Sequence, residues 1–80
     1  MKKERIFEIM KEIIVDILPE ISADSIKIED SMKDLGANSI DRFDILADTM
    51  EELNIKMPLV KFGELKNLKE VVELFYENIK

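Results

Sequence analysis

One serine and the acids that follow it are the residues here whose types and spacing suggest chemistry. Ser39 comes directly after the turn-forming run Leu35-Gly36-Ala37-Asn38, and Asp41, Asp44, Asp48, Glu51 and Glu52 come after it. Wound as a helix at ~100° per residue, those acids fall in one arc about 100° wide. A serine hydroxyl is a poor nucleophile unless a neighbouring base takes its proton. The chain has no histidine to act as that base, and no cysteine. Its only glycines are Gly36 and Gly63, so it has no glycine-rich phosphate loop. Acids lined along one helix face do not converge on a cation. Asp24, Glu29, Asp30 and Asp34 lack the ligand spacing and central glycine of an EF-hand loop. No metal site is expected, and the chain is not expected to be an enzyme. A hydrolase built on Ser39 would lack its base, whereas a serine activated by another enzyme stays open. So does the plainest reading, in which Ser39 or Asn38 simply caps the helix, worth about 1 kcal/mol.

The charge map draws attention to the same serine. The net charge is −6, and residues 1–18 and 57–80 each balance at four acids and four bases. Residues 19–38 hold five acids against two lysines, and residues 39–56 hold five acids against Arg42 and Lys56. The whole excess therefore flanks Ser39. Solubility alone would account for acids on a small protein. A field centred on one residue points instead to steering of basic partners. It argues against nucleic acid, whose phosphates need clustered Lys and Arg.

Eighty residues make one domain, 1–80, with a marginal core and no disulfide to reinforce it. The amino end begins like a signal peptide, but Glu8, Lys11, Glu12 and Asp16 interrupt the apolar run. No segment approaches the ~18 apolar residues of a membrane helix. A cytoplasmic protein with no membrane partner is the default expectation.

The elements that must hold Ser39 in place read as helices. Ile6, Ile9, Met10, Ile13 and Ile17 recur at helical spacing, with Phe7, Ile14 and Leu18 widening the face, and Pro19 stops the run. Lys2 and Lys3 oppose the helix dipole, so fraying is expected there. Residues 19–38 form a long loop in which Ile21, Ile26, Ile28, Met32 and Leu35 suggest pinning across a bundle. The second helix begins near Ser39 or Ile40, and its apolar arc is wider than one core-facing stripe requires. Ile40, Phe43 and Ala47 border the acids, so they face a partner or ligand, or else pack loosely. Arg42 falls within that arc without an obvious purpose. Leu59, Val60, Phe62 and Leu65 suggest one or two short helical turns after Pro58. Asn67, with Glu70 three residues on, resembles a capping box for a last helix whose stripe is Leu68, Val71, Val72, Phe75 and Ile79. The expected fold is all-α: a small four-helix bundle, three longer helices plus one short, with a long loop between the first and second.

The run Leu35-Gly36-Ala37-Asn38-Ser39-Ile40-Asp41, followed by an acidic helix, Pro58 and a final amphipathic helix, resembles the acyl carrier protein family over essentially the whole chain. The usual attachment motif there is Leu-Gly-x-Asp-Ser-Leu-Asp. The resemblance implies that a phosphopantetheinyl transferase, with magnesium, installs a phosphopantetheine arm from coenzyme A on Ser39. The arm's thiol would then carry acyl groups as thioesters between enzymes. It also implies that Asp41, Asp44, Asp48, Glu51 and Glu52 form a recognition helix for basic patches of partners, with Ile40 and Ala47 adding apolar contacts. Two residues depart from the usual pattern: Asn38 stands where an acid is common, and Arg42 adds a positive charge. The run Gly-Ala-Asn-Ser-Ile-Asp-Arg is similar to stand-alone carriers of polyketide pathways, including those that feed beta-branching enzymes related to hydroxymethylglutaryl-CoA synthase. Implied partners are therefore acyltransferase, ketosynthase or hydroxymethylglutaryl-CoA-synthase-like enzymes, met by a monomeric carrier. The alternatives are a fatty-acid synthesis carrier and an unmodified acidic interaction module.

Overall fold

A computed structural model of the chain describes residues 1–79. Three α-helices make its frame: α1 (Lys3–Ile17), α2 (Ser39–Leu53) and α3 (Leu68–Asn78). Two single 3₁₀ turns, Ala23–Ser25 and Leu59–Phe62, sit in the connections. The all-α expectation holds. The short fourth helix expected around residues 59–65 is only the second of these turns, because Gly63 and a four-residue length leave no room for an α-helical ladder.

α1 packs against both other helices. Its inward positions are Ile6, Ile9, Met10 and Ile14, and Leu18, just past its end, is buried with them. Ile13 and Ile17, expected at the centre of that face, are only half-buried at its edge. Lys2 offers no side-chain cap, and the Leu18 amide, donating to the Ile14 carbonyl at 2.7 Å, closes the helix just before Pro19. α2 contributes Ile45 and Leu46 to the core, and α3 contributes Leu68, Val71, Val72 and Phe75. The 3₁₀ turn at Leu59–Phe62 drops Phe62 onto Phe75, with ring centroids 5.1 Å apart. Thr49 is fully buried, and its hydroxyl is satisfied by donating to the Ile45 carbonyl at 2.7 Å.

The long loop is pinned, by backbone as well as by side chains. Ile26 and Ala37 are buried, and Ile21, Met32 and Leu35 pack half-buried against the core, while Ile28 is half-buried. The loop also supplies carbonyls to the start of α3: the Leu68 amide donates to Asp30 at 2.9 Å and the Lys69 amide to Ile28 at 2.8 Å. Those are first-turn amides that a helix cannot satisfy by itself. Asn67 caps the same end by accepting the Glu70 amide at 3.0 Å. The reciprocal half of the expected capping box is displaced by one residue, since the Glu70 carboxylate accepts from the Lys66 amide at 2.6 Å. No helix among the described residues is long and apolar enough to cross a membrane.

Candidate functional site

The site is built from a turn, a cap and the first turn of α2. Met32 to Gly36 wind tightly, with the Gly36 amide donating to Lys33 at 3.0 Å and the Ala37 amide to Met32 at 3.1 Å. Closing that turn places Gly36 at φ +95°, a backbone region that side chains with a Cβ rarely adopt. Ala37 is then buried and anchors the entry to α2. Asn38 is the N-cap: its side-chain oxygen accepts the Asp41 amide at 2.7 Å, while the Asp41 carboxylate accepts the Asn38 amide at 3.3 Å.

That reciprocal pair takes the capping role away from Ser39. As the first helical residue it has no capping duty, and it is exposed. Its hydroxyl oxygen has one partner among the described residues, the Nη2 of Arg42, which donates to it at 3.2 Å. A guanidinium is a donor only and cannot take the serine proton. The structure therefore gives Ser39 accessibility without activation.

The acids separate by position. Asp44, Asp48, Glu51 and Glu52 are exposed, and none forms an ion pair with a described lysine or arginine. Asp41 is half-buried and turned back onto the cap. Ile40 is 72% exposed and Phe43 56%, which is unusual for such side chains and settles which part of α2's wide apolar arc lies outside the core. Ala47 is half-buried, beside a shallow depression lined by Met50, Asn54 and Met57. A larger cleft of about 570 Å³ opens beside Ser39. Phe43 and Leu46 of α2, Leu59 and Phe62 of the 3₁₀ turn, and Val71 of α3 form its apolar wall. Sequence periodicity did not single out this cleft, because Phe62, Leu59 and Val71 are far from Ser39 along the chain. Nor did it single out Val60, which is 81% exposed on the 3₁₀ turn.

A family model described as "phosphopantetheine attachment site" matches residues 8–75. The chain is 35% identical over 79 residues to the polyketide biosynthesis acyl-carrier-protein AcpK of Bacillus subtilis, covering 99% of this chain and 96% of the relative. The chain belongs to the acyl carrier protein family. It is also 38% identical over 68 residues to the acyl carrier protein of Clostridium acetobutylicum, with 84% and 87% of the two chains covered. Among solved structures it matches a chain of the curacin biosynthetic pathway HMG synthase in complex with an acetyl donor carrier. The TM-score is 0.86 at 33% identity, over 94% of this chain and 96% of that one.

An acyl carrier protein works through a covalently attached phosphopantetheine, and it is a carrier, not an enzyme. The residues present fit that group. The carrier offers an exposed hydroxyl free of any capping bond, at the edge of a cleft with an apolar wall.

Proposed function

We propose that Ser39 carries the phosphopantetheine arm and that the carrier serves a polyketide pathway, delivering its acyl group to a hydroxymethylglutaryl-CoA-synthase-like enzyme. The observation that carries the assignment is the division of labour at the start of α2. Asn38 and Asp41 satisfy the helix end between them, which leaves the Ser39 hydroxyl exposed and available. In loading, the Ser39 oxygen forms a new bond to the β-phosphorus of coenzyme A. The bond to the departing 3′,5′-ADP breaks, and the hydroxyl proton leaves to a base that the transferase must supply. The arm's terminal thiol then provides the thioester chemistry.

The acids Asp44, Asp48, Glu51 and Glu52 face outward along α2 as an address for basic partners, while Asp41, turned back onto the cap, adds only its charge at the helix start; Ile40, Phe43 and Ala47 give apolar contact. That no cation among the described residues pairs with Asp44, Asp48, Glu51 or Glu52 supports this role. The partners are a phosphopantetheinyl transferase, an acyltransferase or ketosynthase that charges the arm, and the synthase-like enzyme that receives the cargo. Similarity to AcpK and to the carrier bound by the curacin HMG synthase supports that placement over a general fatty-acid carrier. The carrier is taken to act as a cytoplasmic monomer.

Mass spectrometry after incubation with coenzyme A, magnesium and a promiscuous transferase tests the attachment. The wild type is expected to gain one arm and Ser39→Ala none. A wild type left unmodified by several transferases would sink the proposal.

A further inference from the structure

We infer that Arg42 binds the phosphodiester linking the arm to Ser39, holding the arm's first charged group against α2 at the edge of the cleft. This rests on the attachment at Ser39 proposed above and assigns a role to a residue the family motif leaves without one. The Arg42 guanidinium lies across the first turn of α2. Its Nη2 is 3.2 Å from the Ser39 hydroxyl oxygen and its Nε is 3.4 Å from the Asn38 carbonyl. Esterification puts phosphorus one bond beyond that oxygen and the charged, non-bridging oxygens two bonds beyond. The Nη2 donor that already reaches the hydroxyl is therefore within reach of the phosphate after a small side-chain rotation. A planar guanidinium suits such oxygens better than any other side chain.

The surrounding charges favour the same assignment. Arg42 is the only cation in α2, a helix that carries five acids. The cleft beside Ser39 is lined by Lys33, Arg42 and Lys66 and by no acid, although the protein as a whole is net −6. Of the three cations lining the cleft, only Arg42 already touches the Ser39 hydroxyl, so it is the one placed to offset the charge of a phosphodiester introduced there. Arg42 is half-buried and already held by two hydrogen bonds, so less side-chain freedom is lost when it engages the diester than a free surface arginine would lose.

The test uses the holo carrier, and mass spectrometry first establishes one arm on the wild type and none on Ser39→Ala. Failure at that stage overturns the attachment itself. Once loading is established, phosphorus NMR of the diester reads the Arg42 contact directly. The resonance is expected to move in Arg42→Gln and to fall between the two in Arg42→Lys. The arginine Nε–H spectrum gives a second readout, because the chain has only Arg5 and Arg42. Arg5 lies against Glu8 on α1 and serves as an internal reference. On loading, the Arg42 signal should shift and exchange more slowly with solvent, while that of Arg5 stays in place. A diester resonance unchanged by Arg42→Gln overturns the inference. Should that variant load poorly, the wild-type spectrum decides alone, and an Arg42 signal indifferent to loading overturns it equally.

Discussion

Asn38 and Asp41 cap α2 reciprocally, each side chain accepting the other's backbone amide, at 2.7 Å and 3.3 Å. This pairing explains how an asparagine can serve beside Ser39, the proposed attachment residue, where the family more often has an acid. A neutral side-chain oxygen accepts the Asp41 amide as well as a carboxylate does, without adding a charge next to the incoming phosphate. Asn38→Ala is therefore expected to destabilise the fold by about 1 kcal/mol. Ser39→Ala, which removes no capping bond, should stay within about 0.5 kcal/mol of wild type. Urea denaturation followed by circular dichroism compares the two. A larger loss for Ser39→Ala than for Asn38→Ala would mean that the serine is structural.

Gly36 offers a cleaner case of backbone control. A Cβ added there would meet nothing within 4 Å, so sterics with the rest of the protein do not protect the position. Its φ of +95° does. Gly36→Ala is expected to cost about 1–2 kcal/mol, the range for forcing an L-residue into left-handed backbone. Because this turn sets the entry to α2, transferase loading should slow in parallel with the loss of stability. A substitution that changes neither thermal midpoint nor loading rate would show that the turn can re-form at negative φ.

The helical stripes were legible in the sequence because apolar spacing alone distinguishes the inward face of α3 and most of that of α1. The position of Ile14 relative to Ile13 was not, since α1 is apolar over more than one stripe and only the neighbouring helices choose the centre. At the site, Ser39 and the acidic face could be read directly. The choice of cap could not, because Asn38 and Ser39 both carry short acceptor side chains at adjacent positions. Arg42 had no meaning until the helix start was known. Beginning α2 at Ser39 puts residue 42 one turn on, over the serine. The loop's hold on α3 was hidden for a different reason: backbone carbonyls of Ile28 and Asp30 make it, and no side-chain type marks them.

That backbone tether has a measurable consequence. The Leu68 and Lys69 amides are the first two of α3, a position where amides usually exchange freely with solvent. Here both donate to loop carbonyls. Hydrogen exchange should show them protected nearly as well as the interior of α3, and far better than Lys3 and Glu4 at the uncapped start of α1. Equal, rapid exchange at both helix starts would show that the loop leaves α3 in solution.

Partner docking should depend on the outer acids and little on Asp41. Asp44 and Asp48 are exposed and form no ion pair among the described residues, so reversing them to lysine should leave circular dichroism unchanged. Long-range attraction to a basic partner would nevertheless turn into repulsion. The association rate with the transferase or the synthase-like partner is expected to fall on the order of tenfold or more at low salt, and the difference should shrink as salt is added. Asp41→Asn should leave that rate nearly intact, because the Asp41 carboxylate is already turned back onto the Asn38 amide. Surface-based binding kinetics over a range of ionic strength separates these cases. Association that ignores both charge reversal and salt would mean that Ile40 and Phe43, exposed on the same helix, dominate recognition through apolar contact alone.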